Sequence, residues 1–284
     1  MLHWRVQEGS RRLKDELAAE EPLEIQVDTR PVVVTMRTPG HDEELAAGFL
    51  LSEGLIRKRG DILKIAPYLR NDFGNVLDVF LGPGLVIDFA RLTRHVFASS
   101  SCGLCGKASI QEVHRHFPKL HARLTVSTEV LVTLPAALRR QQSVFARTGG
   151  LHAAGIFTPR GELIVLREDV GRHNAVDKVI GHGFLAGLLP FDRHVLMVSG
   201  RASFEILQKA LAARIPIVAA VSAPSSLAVR FAVENRQTLI GFLRDDRMNI
   251  YTRPERVRIK PFRRSSSGQG KPVAGKFSLG GAPD

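Results

Sequence analysis

Cys102 and Cys105 are the only cysteines of the chain, and they stand two residues apart in SSSCGLCGKAS. A thiol pair at this spacing can exchange with a disulfide, bind zinc, sit reduced without chemistry, or carry sulfur as a persulfide. A redox pair wants a helix start just after a strand, in a compact βαβ unit. Here three serines precede the motif, and no βαβ pattern is clear. For zinc, Cys102, Cys105, His116 and His121 read C-x2-C-x10-H-x4-H. The central gap is shorter than the ~12 residues of a finger. His114 competes as a ligand, and Pro118 breaks the helix that would carry both histidines. Gly103, Gly106 and the serines make a flexible, exposed loop, as a carrier needs. Lys107 and a helix expected from about Ser109 to Phe117 would favour the thiolate. The residues alone leave these readings open.

A second set of polar residues falls at three junctions where a strand gives way to a helix. In REDVGRHNAVDK, Asp169, Arg172, His173, Asn174, Asp177 and Lys178 crowd around Gly171. In VSGRASFE a buried strand ends in Ser199, Gly200 and Arg201. In VSAPSSLAVR, Ser222 and Pro224 lead to Ser225 and Ser226 at a helix start. A helix N-terminus offers free N–H groups and a partial positive charge, and small residues let a phosphate approach. Arg172 or Arg201 adds a bidentate contact. Any one such junction can be a simple helix cap. Three at corresponding sheet ends point to an anion or nucleotide site.

Stepping along the chain shows what must position these groups. LEIQVDTRPVVVTMRT predicts two strands around a turn at Asp28–Pro31. HDEELAAGFLLSEGL predicts a helix, with Leu45, Phe49 and Ile56 at helical spacing and Gly54 as its end signal. Short strands follow over 62–90, broken by NDFGN and GPG. From Leu134 the pattern alternates. PAALRRQQSVFARTGG reads as one helix, and HAAGIFT and ELIVLRE as strands. GRHNAVDKVIGHGFLAG is helix, HVLMVSG strand, SFEILQKALAARI helix, PIVAAVS strand, SSLAVRFAVENR helix and TLIGFLR strand. This is an α/β layer with a largely parallel sheet, beside a smaller α+β portion at the N-terminal side.

The 284 residues allow one large domain or two small ones. No apolar run approaches the roughly 18–20 residues that span a bilayer. The charged start MLHWRVQEGSRRLKDELAAEEP lacks the apolar region of a secretory signal. A lone cysteine pair without export points to a reducing cytoplasm, and no membrane partner is expected. The net charge of +12 raises nucleic acid as a partner. Yet residues 252–284 hold eight Lys/Arg against two Asp/Glu, half of that excess. Their Gly, Ser and Pro content predicts a disordered basic tail over 259–284. The mildly basic body suits a phosphate-bearing small ligand, and no nucleic acid is expected.

The stretches EEPLEIQV, VVVTMRTPGHDEELAAGFLLSEGLI, SSCGLCGKAS, TGGLHAAGIF, EDVGRHNAVDKVIG, SGRASFEILQKA and APSSLAVRFA together resemble the FdhD family. These are the sulfur carriers required to make formate dehydrogenase active. The resemblance runs from about residue 20 to 258. It implies that a cysteine desulfurase loads Cys102 with a persulfide, and that Cys105 is its partner. The sulfur then passes to molybdenum in its bis(molybdopterin guanine dinucleotide) form, before the cofactor enters formate dehydrogenase. GFLRDDRM places Phe242, Leu243, Arg244, Asp245, Asp246 and Arg247 where the family contacts that cofactor, and GDP is the expected fragment ligand. An Asp can accept from guanine N1–H and N2–H together, while Arg244 or Arg247 holds phosphate. Gly171, Arg172, His173, Ser199, Gly200, Arg201 and Ser225 complete the expected cofactor set. The resemblance also implies a cytidine-deaminase-like, three-layer domain over 131–258. It would follow an extension over 1–20 and an α+β portion over 21–130 that carries the mobile loop, about 99–108. Zinc deaminases need H-x-E and P-C-x-x-C. Here His152 is followed by Ala154, and no Cys occurs after Cys105, so the chain is expected to hold no zinc and not to deaminate. Twofold guanine groups on the cofactor fit a homodimer. The competing classes are a nucleotide-binding chaperone without sulfur chemistry and a zinc-binding nucleic-acid module.

Overall fold

The computed structural model of the chain describes residues 1–7, 9–68, 74–85, 87 and 117–259. Cys102, Cys105, His114, His116, the helix expected ahead of Phe117 and the tail from 260 lie outside the described residues. The chain is a mixed α/β protein with several sheets.

The N-terminal 20 residues hold a small hairpin, β1 (Leu2–Arg5) with β2 (Gly9–Arg12). Next come β3 (Glu21–Val27) and β4 (Arg30–Arg37), joined at Asp28 and Thr29. Both turn residues have left-handed φ, 46° and 64°, the backbone a tight two-residue hairpin demands. After helix α1 (Asp42–Ser52) come β5 (Ile62–Pro67) and β6 (Val76–Leu81). They close a four-stranded sheet in the order β4-β3-β6-β5. Asp42, Glu43 and Glu44 fill the first turn of α1, where the helix dipole favours acids. Gly54, at φ 71°, ends it, with Leu55 N–H donating back to the Leu50 carbonyl at 2.9 Å. Ile56 is buried but lies beyond the helix.

The second part starts with β7 (Val126–Ser127), α2 (Thr128–Leu131), α3 (Leu134–Gln141) and α4 (Ser143–Thr148). The single helix expected from PAALRRQQSVFARTGG is therefore two. Gln142, at φ −79° and ψ 75°, leaves the helical region between them. A hairpin follows, β8 (His152–Phe157) and β9 (Leu163–Asp169). Then α5 (Arg172–Leu185), β10 (Val195–Val198), α6 (Phe204–Ala212), β11 (Ile217–Ala220) and α7 (Ser226–Glu234) alternate. Finally β12 (Thr238–Arg244) turns into β13 (Arg247–Thr252), and β14 (Val257–Arg258) pairs with β7.

The main sheet has six strands in the order β13-β12-β11-β10-β8-β9. It is not largely parallel, as the alternation predicted. Only β10–β11 and β11–β12 pair in parallel. Short turns join β8 to β9 and β12 to β13, and a tight hairpin must be antiparallel. Successive residues of the central strands face opposite sides. Leu196, Val198, Val218, Ala220 and Leu239 share a core with α1, α5, α6, α7 and the small sheet. Val195, Met197, Ile217, Ala219 and Ile240 pack on Leu131, Leu134 and Leu138 beneath. Helices thus cover both faces of the sheet.

Helix α1 crosses α5 at two glycines. A Cβ on Gly48 would lie inside the Asp177 carbonyl, and one on Gly181 inside the Glu44 carbonyl. Beside this seam Lys209 Nζ reaches Asp177 Oδ2 at 2.7 Å, Asp177 Oδ1 at 3.0 Å and Ser52 Oγ at 3.1 Å, all in the interior. Burial opposes the charge on Lys209, but Asp177 and Glu205 raise its pKa above the ordinary lysine value. Lys209→Ala leaves the Asp177 carboxylate buried without its cation, a loss of about 3–5 kcal/mol. Urea unfolding checks this. The joint Lys209→Met, Asp177→Leu variant should lose less than Lys209→Ala alone, and a larger loss would show the pair to be net stabilising.

Among the described residues, no helix is long and apolar enough to cross a membrane.

Candidate functional site

Strands β9, β10, β11 and β12 run the same way, so their C-terminal ends share one edge of the layer. That edge collects the predicted junctions. His152 opens β8 there, paired in register with Asp169. The loops are tied to each other by backbone and side-chain hydrogen bonds. Ser199 exchanges two with Ala153, its N–H to the Ala153 carbonyl at 2.9 Å and its Oγ from Ala153 N–H at 2.8 Å. Ala202 N–H donates to the Ala223 carbonyl at 3.2 Å and Ser225 N–H to the Ala202 carbonyl at 3.0 Å. Phe242 N–H reaches the Ser222 carbonyl at 3.2 Å, and Arg244 Nε the Val221 carbonyl at 3.2 Å.

The predicted residues divide by what they already bind. Asp169 is fully buried and accepts from Gly171 N–H at 2.8 Å, Asn174 Nδ2 at 3.0 Å and Thr38 N–H at 3.2 Å. Lys178 Nζ meets its Oδ2 at 2.7 Å and donates to the Thr38 carbonyl at 2.8 Å. Gly171, Asn174, Asp169 and Lys178 therefore form an internal strut to the β4–α1 connection. His173 is buried, with Nε2 3.0 Å from Ser203 Oγ and 3.5 Å from Glu205. It holds the cap of α6. Ser225 Oγ accepts from Ala228 N–H at 3.2 Å and caps α7.

Around Gly200 the arginines are left facing the edge. Arg172 Nε is buried with no hydrogen-bond partner among the described residues, an expensive state for a charged donor without an anion beside it. Gly200 stands between Arg172 and His152. A Cβ there would come within 3.3 Å of His152 Nδ1 and 3.8 Å of Arg172 Cδ, so any side chain fills the space. Burial, then the positive fields of Arg172 and Arg201, push the His152 pKa below its ordinary value, with Asp169 opposing. Arg201 is exposed at the rim. The sequence reading used His152 only to exclude deaminase chemistry and missed it here. Its signal is a histidine at the first residue of a buried strand, whose position is set by pairing with distant segments.

Phe242, Leu243, Arg244, Asp245, Asp246 and Arg247 form the end of β12 and its turn into β13. Leu243 is buried in the core, while Arg244 to Arg247 are exposed. Phe242 at φ 52° and Asp245 at φ 51° are both left-handed, and the register slips between Gly241 and Arg244. Such backbone is uncommon for a phenylalanine and gathers at functional sites. Of the four zinc ligands considered, His121 alone is described. It is exposed, with Nδ1 3.1 Å from Arg236 Nη1.

The model of the FdhD/NarQ family matches residues 18–258. The chain belongs to the FdhD/NarQ family. The sulfur carrier protein FdhD of Mycobacterium tuberculosis is 53% identical over 251 residues, covering 85% of this chain and 91% of that one. The protein of the same name from Streptomyces avermitilis is 49% identical over 270 residues, covering 90% and 94%. The one from Sulfolobus acidocaldarius is 42% identical over 254 residues, covering 89% and 96%. A solved formate dehydrogenase accessory protein from Desulfotalea psychrophila superposes with a TM-score of 0.72 at 25% identity, covering 90% of this chain and 96% of that one. The FdhD/NarQ match takes in the cysteine motif and all three strand-to-helix junctions.

Proposed function

We propose that this chain is a sulfur carrier. In this reading it takes a persulfide sulfur from a cysteine desulfurase onto Cys102, in a reducing cytoplasm. It delivers that sulfur to the bis(molybdopterin guanine dinucleotide) form of the molybdenum cofactor, its cargo, before insertion into formate dehydrogenase. The main layer is then a cytidine-deaminase-like scaffold turned to binding, in a homodimer with one guanine nucleotide for each protomer. The observation that carries the reading is the Arg172 Nε without a partner among the described residues, beside Gly200 and His152, in a chain whose relatives are named sulfur carriers. A pyrophosphate of the cargo supplies the anion that Arg172 lacks, Arg201 closes on it from the rim, and the absent Cβ of Gly200 makes the room. The Phe242–Arg247 turn ends β12, two strands from β10 along the same edge, where an Asp can accept from guanine.

The test is calorimetric titration of the full chain with GDP and ADP. GDP binds more tightly, and Arg172→Gln weakens it by roughly ten- to a hundredfold, the worth of a charge-assisted contact. Asp245→Ala or Asp246→Ala lowers the preference for GDP. Equal affinity for both nucleotides in the wild type removes the guanine assignment, and unaltered affinity in Arg172→Gln removes the site.

His152 gives the binding a pH dependence. In the free protein its pKa is depressed, so it is neutral near neutral pH. A bound phosphate offsets the arginine fields and raises that pKa, so binding takes up a proton. Affinity for GDP should therefore rise as pH falls through the ordinary histidine range near 6.5. His152→Ala abolishes the trend. Without ligand the sign for folding is opposite. The unfolded histidine takes the proton more readily, so stability falls as pH drops below that range.

A further inference from the structure

A second concave, cationic feature lies at the opposite end of β12, about 20 Å from the strand-end cluster at ~3.3 Å per residue. Residues 120–125 and 236 combine with Arg253, Glu255 and Arg256 to line a cavity of about 360 Å³. Arg123, Arg236, Arg253, Arg256 and His121 line it, and among the described residues Glu255 is the one carboxylate of the lining. Glu255 pairs with Arg253 at 3.1 Å, with 58% of its side chain exposed, and offsets one charge at most.

Arg256 decides what this cavity is for. It is only 5% exposed, and its bonds go to neutral oxygens. Nε donates to the Ala122 carbonyl at 3.3 Å, and Nη1 to the Arg236 carbonyl at 2.7 Å and Thr238 Oγ1 at 3.3 Å. Among the described residues no carboxylate bonds to it, Glu255 favours its charge only through space, and Nη2 has no hydrogen-bond partner. A buried, unneutralised guanidinium is unfavourable unless an anion joins it. Burial and then the charge of Arg253 lower its pKa from the ordinary arginine value, with Glu255 opposing. Arg236 and Arg253 both stand in left-handed backbone, φ 58° and 50°, which turns their side chains to the same hollow from separate segments.

We propose that this cavity is a second anion site, which takes the phosphoryl or pyrophosphoryl group of a small molecule. The volume is in the range of small-ligand pockets. Guanidinium forks from different segments match the several oxygens of a phosphoryl group, and the local cation excess suits a multiply charged ligand. The assignment is independent of the strand-end reading.

The test uses the full chain and inorganic pyrophosphate, with GDP as the nucleotide-borne source of the same group. Wild type should bind two equivalents of pyrophosphate. Arg172→Gln with Arg201→Gln should leave one, and Arg236→Gln with Arg253→Gln should remove the other or weaken it at least about tenfold. If the strand-end reading fails, wild type binds one equivalent, lost only in the Arg236, Arg253 pair. GDP saturating both sites assigns the cavity to nucleotide diphosphates, and GDP filling the strand-end site alone assigns it to the smaller ion. Should the Gln pair not fold, Arg123→Glu, on an exposed side chain, replaces it with the same expected direction. Wild-type stoichiometry and affinity in a folded Arg236, Arg253 variant overturn the proposal. So does displacement of pyrophosphate by hexaglutamate at lower concentration, which assigns the cavity to an acidic peptide.

Discussion

Incubated with a cysteine desulfurase and free cysteine, the protein is expected to gain the mass of one sulfur atom, and the Cys102→Ala protein to gain none. The step balances without an oxidant. The Cys102 thiolate attacks the outer sulfur of the donor persulfide, that S–S bond breaks, and the donor cysteine leaves as a thiolate. Delivery differs. The carried sulfur is at the sulfane level, and a sulfido ligand is two electrons more reduced. Cys105 can supply that pair by attacking the inner sulfur of Cys102, releasing hydrosulfide and leaving a disulfide that cellular thiols reduce. Cys105→Ala should therefore load normally and fail in delivery, seen as persulfide that persists while formate dehydrogenase stays inactive. Cys102→Ala should fail in both. Loading of Cys102→Ala to the wild-type extent would end the carrier reading. Full activation of formate dehydrogenase by loaded Cys105→Ala would assign the electrons to another donor.

Gly181→Ala should be among the most destabilising of the single substitutions, on a par with Lys209→Ala. Its Cβ would occupy the position of the Glu44 carbonyl of α1, and backbone cannot rotate aside as a long side chain does. The two helices must separate, and the core they share with the small sheet opens with them. The cost is about 3–5 kcal/mol, at the upper end for one substitution. For a chain of this size that is roughly a ten-degree fall in Tm. Gly48→Ala, against the Asp177 carbonyl, should cost nearly as much. The double variant should cost less than the sum, because one displacement relieves both clashes. A shift of under two degrees in Gly181→Ala, about 1 kcal/mol, would show that the seam has slack.

The order of elements from α5 to β12 is readable because each buried strand is a short apolar run between polar turns, as in HVLMVSG and PIVAAVS. The shared end of the three junctions follows from that order. Sheet direction at the edges does not. Strand β13 is hidden in DDRMNIYT, where exposed and half-buried residues alternate and the charges read as a turn. The break at Gln142 carries no Gly or Pro to announce it. In the site, Arg172, Gly200 and Arg201 were legible from their types beside strand ends. That Asp169, Asn174 and Lys178 serve one another was not, because Thr38 and Met36, which complete their bonds, lie some 130 residues away in sequence. His152 and Arg256 share this problem. A single charged residue is ordinary in a sequence and informative only when its neighbours in space prove to lack the opposite charge.

The Asp169 strut bears on how this protein tolerates change. Arg172 starts a helix whose first turn is moored through Asn174 to Met36 of β4, beside Asp169, which accepts from Thr38. If Arg172 takes the phosphate as proposed, its guanidinium is aimed by residues outside the proposed site. Loosening that mooring costs affinity as entropy, since the free protein then samples orientations that binding must take away. Substitutions along β4 should behave as remote tuners, shifting the entropy of nucleotide capture while its enthalpy stays near that of the parent.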